Sequence, residues 1–360
     1  MNEMPYKQLA ERLDALPNGY PATADGVELR LLATLFSEAE AALAAQLKFP
    51  LETAEKIAER TGGDEQEVRK LLKDMARRAL IRMGRTDGGI GYGLMPFVVG
   101  IYEGLLGQIS AEQAQLFEDY YMSAFGQMLA LEPQVHRVVP INESVQVDME
   151  IHPYESATDI VNEAHAWGVI DCICRKQKAQ IGDPCDHPVD VCLILNKRPN
   201  VFDDHENIRA LSHEEALATL QRSADAGLVH SVSNNQRGTH YICNCCTCSC
   251  GILRGMADLG IANAVARSAF VNTVDESLCL GCEDCLEYCQ FDALALNEDF
   301  VMQVDRLRCV GCGVCVPSCL DEALSLVRRP KEEVKAPPAT ILDWGMERAM
   351  VRGVDLREIL

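Results

Sequence analysis

The chain has 360 residues, of which 48% are hydrophobic and 24% are charged. This is ordinary globular composition, so it excludes a wholly disordered chain and predicts two or three domains. There are 33 basic and 54 acidic residues, giving a net charge of −21. That charge disfavours binding to nucleic acid or anionic membranes and favours a docking partner with a basic face.

The seventeen cysteines are the unusual feature of the composition. The N-terminal segment is polar and lacks the apolar core of a signal peptide, and the longest apolar stretch, residues 94–106, is too short to span a bilayer. We therefore expect a cytoplasmic protein with no membrane span. In that compartment thiols stay reduced, and a high density of cysteine indicates metal binding.

The first hundred residues predict helices followed by a hairpin. Apolar residues recur at helical spacing over 29–36, and further helices are expected over 39–47, over 53–60 and from Asp64 to residue 80. Ser37 and Glu40 form a predicted capping box, and Asp87-Gly88-Gly89 predicts a hairpin turn. This order resembles the winged-helix domain, to which residues 1–100 are assigned.

The helix that begins at Asp64 would be the recognition helix of such a domain. It carries five basic and four acidic side chains, a mixed solvated face that binds phosphates poorly. Arg82 and Arg85 add some positive charge near the wing. We expect protein docking or a scaffold role here rather than DNA binding.

Residues 101–150 are predicted to connect this domain to the next, with a helix over 108–131 and an extended stretch over 135–147. A Cys-rich α/β domain follows over 151–268. Its predicted elements are a helix over 157–167, a strand over 189–195, a helix over 212–226 and a strand over 228–232. It contains nine cysteines: Cys172, Cys174, Cys185, Cys192, Cys243, Cys245, Cys246, Cys248 and Cys250.

These nine thiols exceed what buried structural cysteine explains, and eight would supply two four-thiolate clusters. One grouping joins Cys172 or Cys174 with Cys185, Cys192 and one thiolate of the run 243–250. A second grouping adds a separate cluster within that run. Zinc and redox-active thiols are the alternatives. His187 either replaces a thiolate or is a surface or capping histidine.

The segments Cys-x-Cys-Arg and Cys-Asn-Cys-Cys resemble parts of larger, uncharacterised iron–sulfur proteins, in which they precede a ferredoxin domain. That resemblance implies at least one cluster in residues 151–268.

An internal repeat occupies residues 269–329. A shift of 30 residues places Cys279, Cys282, Cys285 and Cys289 on Cys309, Cys312, Cys315 and Cys319, respectively. The same shift places Gly281 on Gly311 and Leu294 on Leu324. The sequence therefore contains a duplicated supersecondary unit.

Each half of the repeat reads Cys-x2-Cys-x2-Cys-x3-Cys and resembles the bacterial two-cluster ferredoxin domain. The resemblance implies two [4Fe–4S] clusters with crossed ligands. Cluster I would be held by Cys279, Cys282, Cys285 and Cys319, and cluster II by Cys309, Cys312, Cys315 and Cys289. The chain has Gln290 and Leu320 where that family usually has proline. A pair of zinc sites is the alternative.

Residues 330–340 are predicted to be a linker, and residues 341–360 an amphipathic helix that either docks a partner or packs on its own core. The expected fold class is thus α+β and multidomain: a winged-helix-like domain, a Cys-rich α/β domain, and a dicluster ferredoxin fold with a short docking tail.

Motifs for phosphate, nicotinamide, flavin or hydrolytic sites are absent from the sequence, so it indicates no small-molecule substrate site. We expect an iron–sulfur electron-transfer protein, with two [4Fe–4S] clusters and one or two more in the middle domain. Its partners would be redox proteins or subunits of a larger oxidoreductase complex, in which it is a non-catalytic subunit. The alternative functions are a redox-sensing winged-helix transcriptional regulator and a catalytic iron–sulfur enzyme.

Overall fold

A computed structural model describes residues 2–146 and 149–358 of the chain. The predicted extended stretch over 135–147 and the predicted tail over 341–360 each end outside the described residues. The chain divides into two compact units. One contains the described residues up to 128, residues 177–183 and those from 345 onward; the other contains residues 129–176 and 184–344.

The first part of the chain is helical with a small sheet, as the sequence predicts. Its elements are α1 (Met4–Asp14), α2 (Val27–Leu35), α3 (Glu38–Ala44), β1 (Glu52–Thr53), α4 (Ala54–Thr61), α5 (Glu65–Arg77), β2 (Arg82–Thr86) and β3 (Gly89–Gly93). The predicted capping box of Ser37 and Glu40 is confirmed, and the helix predicted to begin at Asp64 does begin there, with the Asp64 side chain accepting hydrogen bonds from the Gln66 and Glu67 amides. The sequence does not predict α1, or the pairing of β1 with the hairpin in the order β1-β3-β2.

The next residues form short helices. An irregular segment (Phe97–Ile101), extended at Val98 and Val99, leads into α6 (Tyr102–Gly104) and α7 (Ala111–Ser123), which is followed by a 3-10 helix (Phe125–Ala130). The single helix predicted over 108–131 is therefore shorter, because Ser110 caps it and Ala124 leaves helical geometry.

A six-stranded antiparallel sheet organises the middle of the chain. Its strands are β4 (His136–Val138), β5 (Ala166–Ile170), β6 (Cys192–Asn196), β7 (Arg209–Leu211), β8 (Val229–Ser233) and β9 (Tyr241–Cys245), in the order β4-β8-β9-β6-β5-β7. The helices of this region are α8 (Ala157–Asn162), α9 (Ile173–Gln180), α10 (His213–Asp225) and α11 (Arg254–Ala257). An apolar core that includes Leu193, Ile242 and Leu220 packs one face of the sheet against α8 and α10.

Two sequence predictions in this region are wrong at their ends. The predicted helix over 157–167 ends at Asn162, because Trp167 pairs with Leu195 of β6 and Leu211 of β7. The predicted strand over 189–195 begins only at Cys192. Long-range pairing decides both limits, and local periodicity does not show it.

The C-terminal repeat forms two small antiparallel sheets. β10 (Phe270–Val274) pairs along its whole length with β13 (Leu324–Arg328), and β11 (Leu294–Leu296) pairs with β12 (Met302–Val304). The short helix α12 (Asp284–Tyr288) lies within the first cysteine loop, residues 279–289, and contains Cys285; the second cysteine loop is residues 309–319. Because β10 precedes the first loop and β13 follows the second, their pairing joins the two ends of the repeat.

The last helix, α13 (Ile341–Arg352), is packed on its own chain along one side. The Trp344 indole donates a hydrogen bond to the Gln134 carbonyl at 2.8 Å. Arg348 is fully buried and donates hydrogen bonds to the carbonyls of Pro17 and Met128. The sequence predicts either partner docking or packing on the protein's own core, and these contacts favour packing for the side that carries Trp344 and Arg348. On the other side, Leu342 and Met350 are exposed.

Candidate metal centres

The structure brings the cysteines of the repeat into two sets that cross between its halves. Cys319 of the second loop lines a single cavity with the first three thiols of the first loop, Cys279, Cys282 and Cys285. In the second set, the charges of Cys289 and Cys309 act on both Cys312 and Cys315. Each set draws three thiols from one loop and the fourth from the other.

Four of these thiols accept hydrogen bonds from fixed donors. Backbone amides donate to three of them: Met302 to Cys279 at 3.4 Å, Ala323 to Cys319 at 3.3 Å and Ala293 to Cys289 at 3.3 Å. The Asn272 side-chain amide donates to Cys315 Sγ at 3.2 Å. Such donors stabilise negative charge on sulfur and orient it.

Burial opposes ionisation of these thiols. It raises the pKa of Cys285 to about 11 and that of Cys312 to about 12. A metal centre bound by these residues would therefore have to displace protons from them, since the thiolate is the ligand.

Six middle-domain cysteines form a second kind of site, which we call the six-thiol group. Its members are Cys172, Cys174, Cys192, Cys243, Cys245 and Cys250. Leu193 of β6 pairs with Ile242 of β9, so Cys192 and Cys243 project from neighbouring strands on the face opposite the apolar core. Two residues beyond Cys243, Cys245 lies on that same face.

The other three thiols come from segments outside the sheet. Cys172 and Cys174 lie at the start of α9, and Cys250 lies in the turn that precedes α11. The backbone amide of Cys172 donates to the Val189 carbonyl at 2.8 Å, which holds the start of α9 beside the segment leading into β6.

The six thiols interact as a closed ring. Cys172 interacts with Cys174 and Cys192, and Cys192 in turn with Cys243. Cys243 interacts with Cys245, and Cys245 with Cys250. Cys250 closes the ring at Cys174.

The thiols of this ring differ in pKa. Hydrogen bonds from Cys243 and Cys250 lower the pKa of Cys245 to about 6. Hydrogen bonds from Cys174 and Cys192 likewise hold the pKa of Cys172 well below its usual value. Thiol donors thus already stabilise thiolate character at two separate places in the ring.

The three remaining cysteines of the middle domain meet a histidine. The ligand atoms of Cys185, His187, Cys246 and Cys248 all lie within 4.8 Å of one another. Cys185 Sγ is 4.0 Å from Cys246 Sγ, and Cys248 Sγ is 3.6 Å from His187 Nδ1. We call these four residues the Cys3His group.

One thiol of the Cys3His group has a strongly shifted pKa. A hydrogen bond from Cys248, helped by His187 and Arg175 and opposed by burial, lowers the pKa of Cys246 to about 3. The same hydrogen bond raises the pKa of Cys248 well above its usual value. Together the four residues offer a donor set suited to a metal ion.

Arg175 is a buried cation beside both groups. Its Nη2 donates to the Asn244 carbonyl at 2.9 Å and to Cys246 Sγ at 3.4 Å. Burial lowers the pKa of Arg175, but the negative charges of Cys172 and Cys246 raise this pKa by more than burial lowers it. Arg175 therefore keeps its positive charge. It therefore offsets thiolate charge on two sides.

Gln290 connects the C-terminal repeat to the middle domain. Its side-chain carbonyl accepts a hydrogen bond from the Thr247 amide at 2.7 Å, and its side-chain amide donates to the Gly227 carbonyl. Gln290 follows Cys289, and Thr247 lies between Cys246 and Cys248. Gln290 thus ties a cysteine loop of the repeat to the Cys3His group.

The structure does not support the grouping that joins Cys185 to Cys192. Cys185 lies in the Cys3His group, and Cys192 interacts with Cys172 and Cys243 in the six-thiol group. The run 243–250 splits between the two groups. Cys243 and Cys245 of β9, together with Cys250, belong to the six-thiol group, whereas Cys246 and Cys248 of the turn after β9 belong to the Cys3His group. His187 is placed as a member of a potential metal site rather than as a capping residue.

Three positioning residues could not be assigned a role from the sequence. Arg175 is part of the Cys-x-Cys-Arg segment, and Gln290 is visible only as a departure from proline. Asn272 lies seven residues before the first cysteine of the repeat and has no local signal. Long-range strand pairing is what brings it to Cys315.

Two of the four basic side chains of helix α5 form ion pairs within the helix. Arg69 pairs with Glu65, and Arg77 pairs with Asp74 at 3.5 Å. Arg78, just after α5, pairs with Glu40 and donates to the Leu35 carbonyl. These contacts reduce the positive charge that α5 could present to a phosphate backbone.

Comparisons of the chain with protein-family models, with curated proteins and with solved structures found no match. In the part of the chain that the structure describes, no helix combines the length and the apolar character needed to cross a membrane.

Proposed function

We propose that this protein is an iron–sulfur electron-transfer protein. The observation that carries the proposal is the crossed arrangement of the eight thiols of the repeat into two sets of four. A [4Fe–4S] cluster takes four thiolates, so two sets of four thiols support two such clusters. When bound, the clusters would supply reversible one-electron transfer.

The residues around the two sets fit this cofactor. Backbone amides and Asn272 donate to the sulfurs, which is how proteins tune cluster potentials. Apolar side chains, among them Leu294, Met302 and Leu324, pack around the thiols and limit access of water.

The six-thiol group supports a third iron–sulfur site. Four of its thiols would satisfy one cubane, and the ring contains more thiols than a single metal ion can bind. Gln290 and Thr247 connect the middle domain to the loop that contributes Cys289, so one folded unit carries all three proposed sites. We expect about twelve irons per chain.

The exposed surface of the first cysteine loop is acidic. Glu283, Asp284 and Glu287 are all exposed there, next to the exposed Cys282. Within the repeat, residues 275–329 include 11 acidic and 4 basic residues. An acidic surface beside a redox centre favours docking of a redox partner with a basic face. The ion pairs of α5 favour this function over DNA recognition.

The test is anaerobic purification followed by iron and acid-labile sulfide analysis and EPR of the reduced protein. We expect about twelve irons with matching sulfide, and signals from interacting [4Fe–4S] clusters. Cys282→Ala should remove about four irons and slow electron delivery to an external acceptor. A colourless protein without sulfide, or full electron transfer in the Cys282 variant, would contradict the proposal.

A further inference from the structure

We propose that Cys185, His187, Cys246 and Cys248 bind a single zinc ion. Tetrahedral zinc has Zn–S bonds of about 2.3 Å and Zn–N bonds of about 2.0 Å. These bond lengths require edges of about 3.8 Å between two sulfurs and about 3.6 Å between sulfur and nitrogen. The structure has 4.0 Å between Cys185 Sγ and Cys246 Sγ, and 3.6 Å between Cys248 Sγ and His187 Nδ1.

The close spacing distinguishes this group from the other thiols of the chain. Each thiolate of a cubane binds a different iron, so its four sulfurs lie farther apart than four ligands of one ion. Among the described residues, the Cys3His group is the one set of three or more potential ligands whose atoms all lie within 4.8 Å. In neither the six-thiol group nor the repeat do three or more sulfur atoms all lie within that distance of one another.

Charge is balanced at this site. Three thiolates, one neutral imidazole and one divalent ion sum to −1. The buried Arg175 supplies +1, with Nη2 at 3.4 Å from Cys246 Sγ. A cubane with the same four ligands would have the same net charge in its oxidised form, so it is the spacing that selects a single ion.

Neighbouring groups hold the ligands in place. Ser249 Oγ donates to Cys185 Sγ at 3.3 Å. Arg175 is itself fixed by the Pro188 carbonyl, which accepts from its Nη1 at 2.9 Å. Hydrogen bonds to metal ligands from neighbouring groups orient those ligands and are characteristic of protein metal sites.

The position of the site indicates a structural role. It would join the loop of residues 185–187 to the turn of residues 246–248, which are about sixty residues apart in sequence. Cys245, beside Cys246, belongs to the six-thiol group, and Thr247 donates to Gln290. Zinc bound here would hold Cys245 of the six-thiol group in position. It would also hold Thr247, which donates to Gln290 next to Cys289 of the first cysteine loop.

The experiment uses the full chain, purified anaerobically, with zinc and iron measured separately. We expect one zinc per chain, and zinc-edge X-ray absorption showing three sulfur ligands at about 2.3 Å and one nitrogen at about 2.0 Å. Zinc absent from the wild-type protein, or a zinc shell of oxygen and nitrogen only, would overturn the inference.

Variants sharpen the test. His187→Ala should lower zinc at least fivefold, His187→Cys should keep it, and the exposed control His205→Ala should change nothing. The iron bound by the ferredoxin-like repeat should persist in all three. Loss of about four irons with unchanged zinc in His187→Ala would assign a cluster to this group instead. If zinc binds as expected but the repeat holds no iron, the proposed function fails while this inference stands.

Discussion

The first and second cysteine loops of the repeat share their spacing but differ in their surroundings. In the first loop Leu280 is 73% exposed, whereas its counterpart Val310 in the second loop is 1% exposed. Cys282 is exposed, whereas its counterpart Cys312 is partly covered. One duplicated motif has thus produced one loop at the surface and one in the interior.

The second loop is covered by residues from outside the repeat. The amide of Ile141 donates to the Cys312 carbonyl at 3.0 Å, and Ser144 Oγ donates to the Gly313 carbonyl at 2.8 Å. Ser268 Oγ donates to the Gly311 carbonyl at 2.7 Å. The first loop instead carries Glu283, Asp284 and Glu287 at its surface. Cluster I would therefore face a partner, and cluster II would face the rest of the chain.

The largest effect is expected from removing matched ligands. Cys282→Ala and Cys312→Ala should each remove about four irons. Because cluster I would lie at the surface, the Cys282 variant should lose transfer to an external protein acceptor more completely. Iron analysis and acceptor reduction rates measure both effects. Equal rates in the two variants would contradict the proposal that cluster I is the one that faces the partner.

Backbone conformation provides the next test. Gly313 has φ +76°, and a Cβ there would lie 2.7 Å from the Ser144 Cβ and 2.9 Å from Leu326. Gly313→Ala should therefore destabilise this loop by about 1–3 kcal/mol. The measurement is the temperature at which the visible iron–sulfur absorption is lost.

The matched control is Glu283→Gly. Glu283 occupies the equivalent position with φ +69° and is exposed. Glycine there should be neutral or stabilising by up to about 1 kcal/mol, since glycine adopts a positive φ without the steric strain that a residue with a Cβ has. If both variants lower the transition temperature equally, the two loops do not differ in packing as described.

Surface charge is expected to have a smaller effect. Replacing Glu283, Asp284 and Glu287 with the corresponding amides should slow association with a basic redox partner about threefold to tenfold at low salt. The difference should vanish at high salt because of screening. Stopped-flow kinetics measure it. Removing the same three charges at the exposed Asp203, Asp204 and Glu206 is the control and should leave the rate nearly unchanged.

The smallest expected effect concerns cluster II alone. Asn272→Leu removes the donor to Cys315 Sγ, and losing a hydrogen bond worth about 1 kcal/mol lowers a one-electron potential by about 40 mV. Redox titration followed by EPR resolves the two clusters, so cluster I serves as the internal reference. A shift of both potentials by the same amount would show that Asn272 does not act through Cys315.

Local patterns were sufficient wherever neighbouring residues decide the structure. The capping box at Ser37, the hairpin turn at residues 87–89 and the helix after Ser212 follow from side chains within a few positions of one another. The limits of the helix that begins at Ala157 and of the strand that begins at Cys192 were not readable, because partners on distant strands set them.

The sequence by itself determined that this protein is rich in cysteine and that residues 269–329 contain a duplicated cysteine motif, since composition, spacing and repetition are properties of the chain alone. Only the tertiary structure decided which middle-domain thiols meet. Strand alternation sends Cys243 and Cys245 to the six-thiol group, whereas the turn after β9 sends Cys246 and Cys248 to His187. The direction of a side chain at a turn depends on how the whole sheet is paired, so it cannot be predicted from the spacing of the cysteines.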